Sequence, residues 1–272
     1  MILREIALYF QKTEQKRTMS TNRKNRICII IPCYNEAASL PSVAADLRKY
    51  LPEAHLLFIN DASTDNSKTV LHELADDRTT VIDLPINLGI GGGVQTGLLY
   101  AARNRYDCAV KFDGDGQHPA SALEDILAPV ISGEADLSIG SRFLAENDGF
   151  KSTFMRRLGI RIFRVLSTWL TGQTITDSTS GYRAYGRRAL LFAARHYPAF
   201  DYPEPEEAIL FIRNGLRVRE VPCRMAPREN GHSSINPLKS VYYMMKVILS
   251  VIMAAFRPKK NLQFLDSIGS EQ

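Results

Sequence analysis

Two aspartates, Asp113 and Asp115, stand just past an apolar run in the segment Asp113-Gly114-Asp115-Gly116-Gln117-His118-Pro119. Carboxylates at that spacing can share one hard cation, Gln117 adds a neutral amide oxygen, and the glycines between them let backbone approach closely. Mg²⁺ or Mn²⁺ held by one or two carboxylates together with substrate phosphates suits such a donor set. The cation's chemistry there is to neutralise charge developing on a diphosphate leaving group. Other readings compete. A plain Gly-Asp turn has the same composition. A calcium loop is suggested by Glu124, twelfth counting from Asp113, but His118 stands sixth, where that loop needs glycine, and strand-like sequence precedes it. The run Gly89-Ile90-Gly91-Gly92-Gly93 fails as a dinucleotide fingerprint, because its third glycine would have to stand at Val94. That run instead lets a helix N-terminus come close to a ligand or to a sheet.

The elements that must carry these residues alternate. Strand-like runs fall at 27–32, 55–60, 79–83, 108–113 and 136–141, with helical spacing at 37–51, 66–76, 92–105 and 119–132 between them. A longer helix is expected at 154–171, then a helix at 206–214 and a strand at 217–222. This order predicts an α/β domain whose mainly parallel sheet is flanked by helices. Ligands of such sheets bind beyond the carboxyl ends of the strands. Each predicted strand ends in polar, acidic or glycine-rich residues: Pro32 to Glu36, Asn60 to Asp65, Asn87 to Gly93, Asp113 to His118, and Gly140 to Arg142.

The 272 residues suit one large domain with tails. A formal net charge of +5 fits anionic partners, but the cations are scattered, so nucleic acid is not expected. Cys28, Cys33, Cys108 and Cys223 form no C-x-x-C pair, and apolar surroundings mark most of them as small buried hydrophobes in a reducing compartment. Residues 1–25 read as a disordered basic leader without a secretory signal, 26–237 as the catalytic domain, 238–260 as an amphipathic helix and 261–272 as a tail. The charge-free run Val247 to Phe256 is too short to cross a bilayer. Lys239 and Lys246 interrupt the apolar stretch, and Arg257, Lys259 and Lys260 follow it. An interfacial helix and a helix packed on the domain or on a partner both fit this pattern. Arg157, Arg161 and Arg164 share a helical face, suited to solvent or to anionic lipid. Glu204, Glu206 and Glu207 suit a helix opening, with acceptor positioning as the other reading.

Taken jointly, the segments IPCYNE, NDASTDNS, NLGIGGGVQTG, DGDGQHP, GSR and TSGYRAY resemble glycosyltransferase family 2, and within it the polyprenyl-phosphate, dolichol-phosphate mannose synthase-like branch. They span Ile27 to Tyr185. The resemblance implies a GT-A fold, a UDP-, GDP- or dTDP-linked sugar donor, Mg²⁺ or Mn²⁺, and inversion at the anomeric carbon. It implies that Pro32, Tyr34 and Glu36 line the nucleoside pocket with Gly89 nearby, that Asp61 reads base or ribose, and that Asp113, Asp115 and Gln117 hold metal and diphosphate. Arg142 and Arg183 would meet phosphate oxygens, for which guanidinium forks are suited. The stretch Arg228 to Ser234 resembles a loop that closes over the donor; it departs from the usual lysine near Ser234, which leaves Arg228 as the phosphate contact. Asn60 stands where many relatives carry Asp. The expected enzyme works peripherally on the cytosolic face of a membrane, on a polyprenyl phosphate, with a small membrane protein as a further anchor. Extension of a glycan on a hydroxyl acceptor and a sugar nucleotidyltransferase are the alternatives; the latter would be expected to carry a glycine- and arginine-rich loop where this chain has PCYNE.

Overall fold

The computed structural model describes residues 25–144, 154–197, 204–224 and 248–260. Seven strands form one sheet: β1 (Ile27–Cys33), β2 (His55–Asn60), β3 (Thr79–Asp83), β4 (Cys108–Lys111), β5 (Leu137–Ser141), β6 (Arg183–Gly186) and β7 (Val218–Pro222). Their order across the sheet is β3-β2-β1-β4-β6-β5-β7. Only β6 runs antiparallel, between β4 and β5. The helices are α1 (Leu40–Tyr50), α2 (Ser67–Leu74), α3 (Gly89–Arg103), α4 (Leu123–Ile131), α5 (Phe154–Thr171), α6 (Arg187–His196) and α7 (Glu204–Arg213). Residues 248–256 form α8.

The central strands are apolar on both faces because helices cover both, as a buried parallel sheet requires. Strand β1 divides its side chains by the period of two: Cys28 and Ile30 join a core with α3, α6 and α7, and Ile29, Ile31 and Cys33 join a core with α1 and α4. The glycines of α3 serve this packing. A Cβ on Gly97 would fall 2.2 Å from Ile30 Cγ2, and one on Gly93 would lie 3.2 Å from Pro32 Cβ. The run therefore lets α3 sit directly on β1. All four cysteines are buried thiols, and burial pushes that of Cys223 up to about 11. A smaller third core joins α5, α7 and α8 through Phe163, Ile209, Val251, Ala254 and Ala255.

Strand β6 and helix α6 are additions to the sequence expectation. With four residues, β6 is too short to announce itself by periodicity, and it completes the sheet between β4 and β5.

Candidate active site

The register pairing Ile30 with Lys111 brings the loop after β4 beside the loop after β1. Ser39 Oγ donates to Gly114 O at 2.8 Å. A Cβ on Gly114 would lie 2.3 Å from Glu36 Oε2, so only glycine lets the Glu36 carboxylate fold against the Asp113–Gln117 loop. Within that loop Asp115 Oδ1 accepts from Gln117 N at 3.0 Å, and Gly116 takes φ +76°, a turn that L side chains resist. Asp113, Asp115, Gln117 and Glu36 are thus gathered at the carboxyl edge of the sheet.

Behind Asp113 stands His118. Its Nδ1 accepts the Asp113 main-chain N–H at 3.0 Å, and its Nε2 lies 3.3 Å from Asp113 Oδ2. The ring stacks on Tyr182, centroids 4.5 Å apart and 8° from parallel, and the Tyr182 hydroxyl donates to Pro119 O. Burial lowers the His118 pKa; Asp113 opposes this, but the net direction is toward the neutral ring.

Beneath the loop lies a chain of buried charges. Lys111 Nζ pairs with Glu204. Burial alone would lower the Lys111 pKa, but the Glu204 and Asp113 carboxylates outweigh it and hold Lys111 above its ordinary value as a fixed cation. Gly181 makes room for this: a Cβ there would lie 3.1 Å from Lys111 Nζ and 3.3 Å from Asp113 Oδ2. Next in line, Arg183 donates to Glu207 Oε2 at 2.7 Å, which also accepts from the Tyr185 hydroxyl at 3.2 Å.

Arg183 corrects an expectation. Its guanidinium is wholly buried, with Nε on Ser180 O, Nη1 on Glu207 and Nη2 on Ser178 O. It holds the core together below the site and presents no face to a phosphate. The three acids of the PEPEE segment do open a helix, α7, but their side chains are buried and paired, with Lys111, Arg183 and, for Glu206, Arg257 at 2.8 Å.

Arg142 keeps a position at the rim. Asp177 grips it bidentately, Nε to Oδ2 and Nη2 to Oδ1, both at 2.7 Å, and Thr179 accepts a further bond from Nη2. Glu220 of β7 accepts the main-chain N–H groups of Thr176 and Asp177 and so fixes the gripping loop. The guanidinium is oriented and still partly open to solvent. Arg228 lies outside the described residues.

On the other side of the loop the β1 and β2 ends are stitched together. Asn35, at φ +56°, accepts Thr64 N at 2.8 Å, and Glu36 N donates to Ser67 Oγ at 2.9 Å. Tyr34 is exposed, whereas Pro32, expected to line the same pocket, is buried against Gly93 of α3. Asp61 is buried, and its Oδ1 accepts Leu88 N at 2.7 Å just before Gly89, tying the β2 and β3 loops together. Asn60 is also buried, and its amide donates to Asp83 Oδ1 at 2.7 Å. The donor is the reason for an amide at position 60: a carboxylate would meet Asp83 as a like charge.

Oxygen donors, two of them ionisable, and glycines that keep the loop compact fit Mg²⁺ or Mn²⁺ at Asp113, Asp115 and Gln117. Among the described residues no three His, Cys, Asp or Glu side chains are grouped to hold a metal alone.

The model for Glycosyl transferase family 2 matches residues 28–192. The chain is a family 2 glycosyltransferase. It is 31% identical over 228 residues to the polyprenol monophosphomannose synthase of Mycolicibacterium smegmatis, covering 82% of this chain and 85% of that one. To the undecaprenyl-phosphate mannosyltransferase of Micrococcus luteus it is 31% identical over 216 residues, with 78% and 88% covered. Glucosyl-3-phosphoglycerate synthase of Mycobacterium tuberculosis, solved with Mn²⁺, UDP-glucose and phosphoglyceric acid, matches at TM-score 0.62 and 19% identity over 87% of this chain and 81% of that one. The likeness is one of fold, and the family 2 glycosyltransferase described here has the GT-A architecture.

In this glycosyltransferase the supporting residues Lys111 and Asp177 escape a reading by motif. The signal for His118 was its place in DGDGQHP, and for Lys111 a lone cation inside the otherwise apolar run CAVKF.

Proposed function

We propose that this glycosyltransferase moves a sugar from a nucleotide-diphosphate donor to a polyprenyl phosphate, with inversion, at the cytosolic membrane face. The observation that carries the acceptor class is the state of the acids on α7. A sugar hydroxyl is a weak nucleophile at neutral pH and needs a carboxylate base within hydrogen-bond reach. Glu204, Glu206 and Glu207 are buried and bound to cations, a poor setting for that work. A lipid phosphate is already ionised and needs only to be positioned. The names of the Mycolicibacterium and Micrococcus relatives agree with a polyprenyl-linked product.

The gathering of these loops at the carboxyl edge of the sheet supports one division of labour. Tyr34 and the stitched loops after β1 and β2 bind the nucleoside. Asp113, Asp115 and Gln117 hold a divalent cation, which when bound supplies charge neutralisation at the diphosphate. His118 and Lys111 keep Asp113 in its rotamer, and Arg142, oriented by Asp177, meets phosphate oxygens with Arg228. Attack by the acceptor phosphate from the face opposite the leaving diphosphate inverts the anomeric centre.

The test is a screen of radiolabelled UDP-, GDP- and dTDP-sugars against polyprenyl phosphate and against saccharide acceptors. Label should enter the lipid extract with one donor class. Transfer to saccharides alone would refute the reading.

A further inference from the structure

Helices α5 and α8 both turn apolar side chains outward. Among the described side chains of α5 the exposed ones are Arg161, Arg164, Val165, Thr168 and Trp169, a spacing that puts them on one face. Trp169 is 76% exposed and Val165 64%. The opposite face, with Phe163, Leu166 and Leu170, packs on Ile209 of α7 and on Val251, Ala254 and Ala255 of α8. Helix α8 repeats the pattern. Its inner residues fill the same core, while Leu249, Met253 and Phe256 stand outward at intervals of four and three, Phe256 being 77% exposed. Each helix is therefore fastened by one side and leaves a greasy stripe on the other. Exposed apolar clusters of this kind mark interaction surfaces.

Charge selects the occupant. Neither Phe154–Thr171 nor residues 248–260 contain a single acid. Arg161 and Arg164 flank Val165 on the outward face, and Lys259 and Lys260 are exposed directly after Phe256. Arg257 is bound to Glu206 and the Lys260 main-chain N–H to Asn214 Oδ1, so the basic end of α8 is fixed against α7. Among the described residues no helix is long and apolar enough to cross a membrane. Apolar stripes rimmed by cations, on helices fastened to the domain by their other face, fit a bilayer surface with anionic headgroups. A tryptophan suits that depth, since its ring is apolar and its indole N–H wants water. The Thr168 hydroxyl is already satisfied by Arg164 O at 2.8 Å, which removes a demand for water from the middle of the stripe.

We propose that α5 and α8 together form a docking surface for an anionic lipid bilayer. Val165, Trp169, Leu249, Met253 and Phe256 enter the apolar boundary, and Arg161, Arg164, Lys259 and Lys260 meet headgroup phosphates. The surface is coupled to the active site through α7, whose Ile209 packs into the docking core and whose Glu204 holds Lys111 behind Asp113. The inference deepens the membrane part of the proposed function but stands on its own observations.

Trp169 is the only tryptophan of the chain, so its fluorescence reports this surface without labelling. The full chain is mixed with phosphatidylglycerol–phosphatidylcholine vesicles containing neither polyprenyl phosphate nor donor, with bromine on the acyl chains. Emission should shift to the blue and be quenched by shallow bromines, and high salt should weaken binding. Met253→Ser with Phe256→Ser should lower partitioning roughly tenfold, and Arg161→Gln with Arg164→Gln by a similar factor, all with far-UV circular dichroism unchanged. Sedimentation with vesicles while Trp169 stays unquenched would overturn the proposal by putting the contact elsewhere. No vesicle binding would also overturn it, whether Trp169 is then covered by a second copy, seen by light scattering, or by a partner protein. Because no substrate is present, either failure leaves the transfer reaction itself to be judged by the donor screen.

Discussion

His118 holds Asp113 at two points, accepting its main-chain N–H through Nδ1 and facing its Oδ2 through Nε2. Because Nδ1 accepts, the neutral ring carries its proton on Nε2, 3.3 Å from the carboxylate oxygen. The imidazole thereby fixes both the backbone and the rotamer of a residue in the metal loop, and Tyr182 stacked on its face keeps the ring from turning.

His118→Ala should weaken Mn²⁺ binding in the presence of nucleoside diphosphate about 10- to 100-fold, the usual effect of removing a group that orients a metal-site carboxylate. Electron paramagnetic resonance titration of free Mn²⁺ measures this apart from turnover. An unchanged affinity would mean that Asp113 holds its place without the ring.

Asp115→Asn should lower transfer on the order of 10³-fold or more through lost stabilisation of the leaving diphosphate. Chelator should abolish activity in the native protein, and added Mg²⁺ or Mn²⁺ should restore it. Full activity of the variant, or activity in excess chelator, contradicts the assignment of the metal loop.

Glu207→Gln removes the carboxylate from beside the buried Arg183 guanidinium. Breaking one side of such a pair costs about 3–5 kcal/mol, whereas replacing both members by apolar residues of similar size is milder. Urea unfolding should rank Glu207→Gln well below Arg183→Met/Glu207→Leu, and the folded fraction of each should retain transfer to polyprenyl phosphate. Loss of all activity in stably folded Glu207→Gln would instead make this acid a base.

The pH dependence of the β2–β3 edge follows from Asp83. Burial raises its carboxyl, but hydrogen bonds from Asn60 and His72 and the charge of Lys68 outweigh it and hold the folded value below the ordinary one. Its contribution to stability is therefore present above the unfolded value of about 3.9 and is lost as pH falls through the lower folded value. Asn60→Asp should reverse this sign. Two facing carboxylates push one of the pair upward, so the variant should be most destabilised near neutrality and recover part of the loss on mild acidification. Thermal unfolding between pH 4 and 8 separates the two behaviours.

How much of this was legible depends on how local each cause is. Strands β1 to β3 lie where their apolar runs put them, and β4 ends at Lys111, two residues short of the expected 108–113. The carboxylates of the metal loop could be found because the spacing of their donors is itself the signal. Arg183 could not be placed by motif. Tyr182, just before β6, and Ala184 within it face the core under α1 and α4, while Tyr185 faces the other. Arg183 shares the side of Tyr185, where both meet Glu207, and that partner lies 24 residues away. The acids of α7 read as a solvated helix opening for the same reason, since the lysine that neutralises Glu204 is 93 residues distant. Which faces of α5 and α8 carry Trp169 and Phe256 is decided by the core that Phe163, Val251, Ala254 and Ala255 of these helices share with Ile209.

The central claim is that the acceptor nucleophile is a lipid phosphate, and the linkage in the product tests it most directly. Purified protein with Mg²⁺ or Mn²⁺, a labelled nucleotide sugar and polyprenyl phosphate should give a sugar–phosphate–lipid phosphodiester. Its phosphorus resonance should move from the monoester to the diester position, and mild acid should release the sugar. An acid-stable glycoside formed on a saccharide hydroxyl, with the lipid phosphate resonance unmoved, would contradict the account.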